Sequence, residues 1–332
     1  MLVKDIIVKE KQSSNQNFEY ITKRNSNDLG PVFKEINIED REILNPYFDL
    51  VDYEACEYCF NTLYMWQHAY KTAYYIGDNF AVLLGEYEGD LFSILPLAKK
   101  EDLPKVIDFV LDYFKKIDKE IYLRGINEEV VDYLKENYKD RFEYIEERDI
   151  FDYIYDGEKL RTLKGRKLSK KRNHINYFLS EYEGRFEYRL LDKNDFDKCL
   201  ELLDAWSEGK DKNDESSEGI DDERYGIIKL FKNYDKISDK LKIGGIFIDG
   251  KLEAFTMGEL INQNMALIHI EKANPSIRGL YPYINQQFLL HEFPNVEFVN
   301  REEDMGIEGL RKAKLSYYPC RFVEKYTIRE AN

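Results

Sequence analysis

The pattern of apolar and polar residues predicts helices and short antiparallel strands along the whole chain. Between 104 and 116, apolar residues recur every three or four positions, the spacing of one helical face, and Pro104 suits a first turn. Two pairs of short apolar runs are each divided by a turn signal, Glu88-Gly89-Asp90 in one pair and Asp249-Gly250 in the other. These patterns predict two β-hairpins.

The same order of elements occurs twice. Each half of the chain has the pattern of a strand, two helices, an antiparallel meander, a helix, a strand, a helix and a strand. We therefore predict two domains of one α+β kind, residues 31–156 and 157–332. Residues 12–27 are rich in Ser, Asn and Gln, which predicts a poorly ordered arm over 1–30.

A basic segment opens the second domain, within a predicted helical linker at 157–183. Its part from Lys159 to Arg172 contains no acidic residue, although the formal net charge of the chain is −15. Such a run is usually a solvated helix face, but this contrast in charge favours a surface that binds a polyanion. The residues of this basic patch are Lys164, Arg166, Lys167, Lys170, Lys171 and Arg172.

Three stretches resemble a known family: LKGRKLSKKRNHIN at 163–176, EKANPSIRG at 271–279 and NREEDMGIEGLRKAK at 300–314. They resemble a tandem-GNAT group that is similar to the C-terminal domain of phosphatidylglycerol lysyltransferases, and more distantly the Fem-type peptidoglycan aminoacyltransferases. The resemblance covers about residues 33–329. It implies two tandem GNAT (acyl-CoA N-acyltransferase-like) domains with mixed, mostly antiparallel sheets, and acyl or aminoacyl transfer.

The resemblance also implies a place for the donor's phosphates. In GNAT proteins they lie at the helix after the fourth strand, which here begins with Arg278, Gly279, Leu280 and Tyr281. Free N–H groups and the helix dipole attract anions there, Gly279 permits close approach, and Arg278 adds positive charge. An ordinary helix start explains the same residues. Tyr281 also replaces a small residue of the usual fingerprint, which counts against coenzyme A.

The corresponding loop of the first half differs. It carries Glu101 and Asp102 just before Pro104 and has no glycine. Two carboxylates at a helix start cap the helix and repel phosphate. We therefore expect the first domain to be structural and the second to hold any active site.

Two residues are candidates for catalysis. Glu271 ends the strand that enters the phosphate loop, where it could orient or deprotonate an attacking amine. An exposed carboxylate paired with Lys272 is the alternative, and we expect His269 to face the same side of the strand. Tyr317 lies where GNAT enzymes often use a tyrosine as general acid.

A third group of residues follows the next strand and is expected to line a substrate cleft, because strand ends of mixed sheets line ligand crevices. It consists of Asn300, Arg301, Glu302, Asp304, Arg311 and Lys312. Mixed charges suit a zwitterionic ligand. Asp304 alone also fits the N-cap of a helix that begins near Met305.

Composition excludes several classes of site. Cys56 and Cys59 have a zinc-like spacing, but further ligands are missing and both fall on one face of a predicted helix at 55–71. We therefore predict that they are core residues and that they bind no metal.

No apolar run is long enough for a membrane span, and the acidic charge disfavours DNA. The cysteine usage and the N-terminus predict a reduced, cytoplasmic protein. The acidic segment 208–223 is expected to be a mobile rim.

The sequence thus favours direct transfer of an acyl or aminoacyl group from a phosphate-bearing donor to an amine or hydroxyl acceptor. Aminoacyl-tRNA is the favoured donor, and the sequence does not identify the acceptor. An N-acetyltransferase that uses acetyl-coenzyme A is the first alternative. A non-catalytic binding protein that keeps the GNAT fold is the second. The expected partners are tRNA or coenzyme A, and no resident cofactor is implied.

Overall fold

The computed structural model describes residues 31–209 and 219–331. The predicted N-terminal arm and most of the acidic segment 208–223 lie outside the described residues. The strands are β1 (Lys34–Glu35), β2 (Ala73–Gly77), β3 (Phe80–Tyr87), β4 (Asp90–Ser93), β5 (Leu97–Ala98), β6 (Tyr122–Ile126), β7 (Phe142–Glu146), β8 (Asp152–Asp156), β9 (Phe186–Leu190), β10 (Lys242–Ile248), β11 (Lys251–Asn262), β12 (Met265–Ala273), β13 (Phe298–Asn300), β14 (Arg321–Val323) and β15 (Tyr326–Glu330).

The helices are α1 (Arg41–Phe48), α2 (Phe60–Tyr70), α3 (Leu103–Lys116), α4 (Glu128–Tyr138), α5 (Gly157–Thr162), α6 (Ser169–Glu181), α7 (Phe196–Glu208), α8 (Ile220–Lys232), α9 (Leu280–Glu292) and α10 (Glu308–Leu315). No helix in the described ranges combines the length and the apolar composition that crossing a membrane requires.

The chain divides into two compact units whose boundary differs from the predicted one at 156. The N-terminal unit contains 31–53, Glu57–Phe151 and 324–331, and the C-terminal unit contains Glu54–Cys56 and Asp152–Val323. Strand β8 pairs with β13 and β14, and β15 pairs with β6 and β7. Strand pairing, which no local pattern encodes, therefore assigns β8 to the second unit and returns the C-terminal strand to the first.

Both sheets are mixed and mostly antiparallel, as predicted. The N-terminal sheet has the order β1-β2-β3-β4-β6-β15-β7, with β5 beside β3, and its parallel pair is β4 with β6. The C-terminal sheet has the order β14-β8-β13-β12-β11-β10-β9, with β12 and β13 as its parallel pair. The predicted α+β class with two mixed, mostly antiparallel sheets is confirmed.

Both predicted hairpin turns are present and use left-handed backbone. Glu88 and Gly89 have φ of 53° and 92°, and Asp249 and Gly250 have φ of 50° and 82°. Two consecutive positive φ angles give a turn whose twist matches that of the strands it joins. The turn residues alone therefore determined the connections β3–β4 and β10–β11.

Helix α9 covers one face of the C-terminal sheet and forms its core. Ile284 and Phe288 are fully buried against strand residues such as Ile246 and Ile268. Burying apolar side chains of this size stabilises a fold by about 1.5–3 kcal/mol each. This packing fixes α9 against β12, the strand that carries Glu271.

The helix predicted at 55–71 begins only at Phe60. Cys59 is its N-cap with extended backbone (φ −137°), so Cys56 and Cys59 do not share a helical face. The Cys56 N–H instead donates to the Asp152 carboxylate at 2.7 Å, a long-range bond that competes with a helical turn. Both cysteines are buried, in agreement with the core assignment.

Candidate functional site

The site lies where two parallel strands of the C-terminal unit part. Strand β12 pairs with β13 only from Met265 to Leu267, opposite Phe298 to Asn300. Beyond that point β12 continues to Ala273, whereas the chain leaves β13 after Asn300. The two strands part at their carboxyl ends, the usual place for a ligand crevice in such sheets.

A β-bulge in β12 determines which side chains point toward α9. Ile270 lies opposite Met257 and Ile268 opposite Gly258, so His269 is the extra residue. An extra residue shifts the alternation of side chains between the two faces. The expectation that His269 and Glu271 face the same side is therefore wrong. Glu271 points to α9, and His269 points to the other face.

Glu271 is buried in an ion pair and is not an exposed strand-end carboxylate. Its two oxygens accept hydrogen bonds from Arg301 at 3.0 Å and from Asn285 of α9 at 2.8 Å. The Glu271 and Arg301 side chains are only 10% and 11% exposed. The alternative partner Lys272 pairs with Glu223 at 2.7 Å. A buried carboxylate with two donors is fixed in position, which suits orientation more than proton transfer.

Arg301 lies between the carboxylate and two tyrosine rings. Its guanidinium is 4.7 Å from the ring centre of Tyr317 and 5.7 Å from that of Tyr155. Burial opposes its charge, but Glu271 raises the pKa of Arg301, so the guanidinium stays protonated. Its Nη1 is buried without a hydrogen-bond partner among the described residues. A buried N–H donor without a partner is costly unless a ligand accepts from it.

Tyr317 lies in the same cluster, beside the Arg301 guanidinium. Its ring is 6% exposed. Burial raises the pKa of the Tyr317 hydroxyl well above its ordinary value, against the opposing effect of Arg301. The phenol therefore keeps its proton at neutral pH and can donate a proton or a hydrogen bond.

Lys171 joins this cluster, although the sequence placed it in the basic patch. Its Nζ is 3.8 Å from the ring centre of Tyr317. Burial and the nearby Arg301 lower the pKa of Lys171 to about 8, although Glu271 acts in the opposite direction. The missed signal is the position of Lys171 between Leu168 and Ile175, on the buried stripe of α6.

His269 and Glu302 form a second buried group on the opposite face of β12. The imidazole contacts Glu259 at 2.9 Å through Nε2 and Glu302 at 3.2 Å through Nδ1. Burial alone would lower the pKa of His269, but the hydrogen bonds to the two carboxylates raise it to about 9. The histidine is a buried cation that holds Glu302 in place.

The other predicted cleft residues have structural contacts. Asp304 is fully buried and accepts from Arg311 at 2.7 and 2.8 Å, so it anchors α10. It is not the N-cap, because α10 begins at Glu308 after Ile307. Asn300 is also fully buried. Lys312 is exposed and pairs with Glu308 at 2.6 Å. Of the cleft residues, only Arg301 belongs to the cluster around Glu271.

Three polar groups near the strand ends have the spacing of metal ligands. The Cys56 Sγ and carboxylate oxygens of Asp152 and Glu303 lie within 4.8 Å of one another. The Oδ2 oxygen of Asp152 accepts from Asn300 at 2.9 Å, and the Lys314 Nζ donates to the Glu303 carbonyl. A neighbouring ammonium and an occupied carboxylate disfavour a cation here.

The predicted phosphate residues lie at the start of α9, as expected. Gly279 has φ 90° and directly precedes the first helical residue, Leu280. A Cβ at Gly279 would lie 2.1 Å from the carbonyl oxygen of His174, so the glycine admits helix α6. Leu280 N–H donates to Ile277 and the third helical residue is Pro282, which leaves few free donors for an anion.

Arg278 and Tyr281 also have partners at this helix start. Arg278 lies 4.7 Å from the ring centre of Tyr177, and the Tyr281 hydroxyl accepts from Trp206 at 2.9 Å. A groove of about 460 Å³ in the C-terminal unit is lined nearby by Asn274 and Pro275, together with Trp206.

The basic patch divides into three kinds of residue. Arg172 donates to the carbonyls of Leu163 and Gly165 and so holds the turn between α5 and α6. Lys171 turns inward. The remaining members, Lys164, Arg166, Lys167 and Lys170, are exposed. A cationic surface is thus present on α6 and the turn before it. It is formed by four of the six residues that the sequence assigned to the patch.

Comparison with known proteins identifies relatives of this fold. A conserved protein of unknown function from Bacteroides thetaiotaomicron is 33% identical, with a TM-score of 0.84 over 91% of this chain and 100% of that one. L-PGS from Bacillus licheniformis is 16% identical, with a TM-score of 0.64 over 91% and 95%. FemX is 9% identical, with a TM-score of 0.58 over 89% and 96%.

The family assignment rests on most of the chain. The model of the family described as phosphatidylglycerol lysyltransferase, C-terminal, matches residues 48–329, which include both units and every residue of the Glu271 cluster. Family and fold together point to GNAT-like aminoacyltransferase chemistry. The chain belongs to the phosphatidylglycerol lysyltransferase C-terminal family.

Proposed function

We propose that this protein transfers an aminoacyl group directly from aminoacyl-tRNA to an amine or hydroxyl acceptor, at the cluster of Glu271, Arg301 and Tyr317. The observation that carries the proposal is the buried Glu271–Arg301 pair at the parting strands, with an unused N–H beside a phenol that keeps its proton. Membership of the lysyltransferase family supports the aminoacyl class of donor.

Each residue has a distinct role in this reaction. The free Nη1 of Arg301 stabilises the negative charge that develops on the carbonyl oxygen, a contribution that in other enzymes is worth about 10²–10³-fold in rate. Glu271 and Asn285 hold that guanidinium in position. Tyr317 donates its proton to the leaving oxygen. Glu271 is therefore an orienting residue in this scheme.

The surroundings favour tRNA over coenzyme A as donor. Exposed Arg166 and Lys170 lie close in sequence to the cluster residue Lys171, so a bound polyanion would end near the ion pair. The start of α9, where a coenzyme A pyrophosphate would bind, is occupied by His174 and includes Pro282. A helix start with few free N–H groups is a poor phosphate site.

The experiment measures transfer from charged tRNA to hydroxylamine, a small acceptor that makes no demand on the natural one. The purified full chain should accelerate hydroxamate formation over the uncatalysed reaction, and Tyr317→Phe should lower that acceleration by about 10²–10⁴-fold. Tyr318→Phe is the matched control, because the neighbouring Tyr318 is 49% exposed and should be neutral.

The two alternative functions give other outcomes. Turnover of acetyl-coenzyme A without any effect on charged tRNA would replace the proposal with an N-acetyltransferase. Salt-sensitive binding of tRNA without acceleration would leave a binding protein, and no response to either compound would refute the transfer function.

A further inference from the structure

Lys171 differs from the other cations of the basic patch in its surroundings. It is half-buried, with its Nζ over the face of Tyr317, and it makes no hydrogen bond or ion pair with any described residue. Arg172 beside it donates to two backbone carbonyls, and Lys170 on its other side is exposed. A lysine amine that is partly buried against an aromatic ring without a carboxylate partner is unusual, since lysine is normally buried only with a partner.

The charged groups around Lys171 come from several elements. Arg301 follows β13, Glu271 lies on β12, and Lys170 and His174 belong to the same helix. Burial and two of these cations disfavour its protonated form, whereas Glu271 favours it. With a pKa of about 8, about one tenth of the Lys171 side chains are neutral amines at pH 7 and about half at pH 8.

The pKa values of Lys171 and Tyr317 are therefore shifted in opposite directions, although the two side chains are in contact. The amine gives up its proton more easily than an ordinary lysine, and the phenol holds its proton more firmly than an ordinary tyrosine. A pair of neighbouring groups whose pKa values are driven apart by their surroundings is characteristic of acid–base assignments.

We propose that Lys171 is the general base of the transfer reaction, taking the proton from the attacking amine or hydroxyl of the acceptor at its Nζ. The acceptor's nitrogen or oxygen forms a bond to the aminoacyl carbonyl carbon, and the ester bond to the donor's oxygen breaks. The acceptor's proton moves to the neutral amine, and the leaving oxygen receives the Tyr317 proton. The Lys171 ammonium then returns a proton to Tyr317, which leaves both groups as they began.

This inference rests on the proposed function, but its first test does not use activity. The full chain is labelled with trace acetic anhydride from pH 6 to 11, with N-acetyl-lysine amide as an internal standard that titrates near about 10.4. Peptide mass spectrometry should show Lys171 labelled with a midpoint near pH 8. A midpoint at that of the standard, or no labelling of Lys171, would overturn the assignment.

The second test uses the hydroxylamine assay with Lys171→Arg and Lys171→Met, and with Lys193→Arg as matched control, because Lys193 is 56% exposed and lies outside the basic patch. The wild-type rate should rise to a plateau around pH 8. In both Lys171 variants the rate at pH 8 should be at least about 10²-fold lower, and the rate should no longer rise with pH. The melting temperature should be unchanged. Lys193→Arg should retain both the rate and its rise with pH.

The outcomes separate the two proposals. An active wild type whose Lys171 variants keep the rate and the rising limb refutes the base and leaves the transfer function intact. A wild type that is inert toward charged tRNA refutes the transfer function and with it the role of Lys171. Loss of rate with an unchanged rising limb would show that Lys171 only positions its neighbours.

Discussion

The two sheets share one strand order, and the units differ where the second strand of the parallel pair ends. In the N-terminal unit β6 ends at Ile126, and Asn127 caps α4 at once, accepting from Val130 N–H at 3.1 Å. In the C-terminal unit the chain runs from Arg301 to Ile307 before α10 begins, and Glu302 and Met305 adopt positive φ. The irregular segment carries Arg301, Glu302 and Glu303 directly after β13, whereas the end of β6 continues at once into α4.

Arginine has a different environment in the two units. Arg124 on β6 lies over aromatic rings, 4.9 Å from the centre of Tyr87 and 5.8 Å from that of Phe92. Arg301 is paired with Glu271 and has one unused N–H. An arginine that covers aromatic rings stabilises a surface, whereas a buried ion pair with a free donor costs stability and offers chemistry. The two units thus share a strand order, and the Glu271–Arg301 pair lies in the C-terminal one.

The largest difference is expected when each arginine is replaced by methionine. Arg301→Met leaves Glu271 buried without its cation and should destabilise the C-terminal unit by about 3–5 kcal/mol. Arg124→Met removes contacts with aromatic rings and should destabilise the N-terminal unit by about 1–2 kcal/mol.

Urea unfolding followed by tryptophan fluorescence measures each unit separately, because the chain has two tryptophans, Trp66 and Trp206, one in each unit. The Arg301 variants are made in a Trp66→Phe background and the Arg124 variants in a Trp206→Phe background. The double variant Arg301→Met with Glu271→Leu should recover most of the lost stability. Equal losses in both units would contradict the contrast between them.

The second difference concerns pH. The folded-state pKa of His269 is raised from about 6.5 to about 9, so its contribution is complete below pH 6.5 and is lost as the pH rises through 9. At about 1.4 kcal/mol for each pH unit, the free energy of unfolding of the C-terminal unit should fall by about 3 kcal/mol across this window. The free energy of unfolding, read from Trp206 at pH 6 to 9.5, tests this.

His269→Gln is the control for the pH effect. It should remove the decline with pH, since glutamine keeps hydrogen-bonding capacity without a charge that titrates. A decline that persists in His269→Gln would assign the effect to other groups of the unit.

The smallest effect distinguishes two arginines of the basic patch. Arg172→Ala removes charged donors from the Leu163 and Gly165 carbonyls and should cost about 1.5–3 kcal/mol. Arg166 is exposed, so Arg166→Ala should change stability by less than about 0.5 kcal/mol. It should instead flatten the log–log dependence of tRNA affinity on salt by about 0.7 if Arg166 contacts a phosphate.

The reverse outcome would reassign the patch. A stable Arg172→Ala variant with a flattened salt dependence would make Arg172 a phosphate contact, and an unstable Arg166→Ala variant would make Arg166 structural. Melting temperature and filter binding between 50 and 300 mM salt measure the two properties on the same preparations.

Residues close in sequence determined the elements and the fold class of this protein. Turn pairs such as Asp249-Gly250, the apolar spacing of α3 and the duplicated order were sufficient to predict two α+β units, because turns and amphipathic faces depend on neighbouring residues. Glu271, Arg301 and Tyr317 were also nominated from the sequence, because charged and phenolic groups at strand ends are conspicuous.

The partners of those residues were decided by tertiary structure. The bulge at His269 turned it away from Glu271, packing of α6 on α9 required Gly279, and the inward face of α6 moved Lys171 from the basic patch to Tyr317. Pairing also transferred β8 and β15 between the units. Each of these contacts joins residues far apart in sequence, so it depends on how burial and hydrogen bonding are satisfied across the whole fold, which local patterns do not specify.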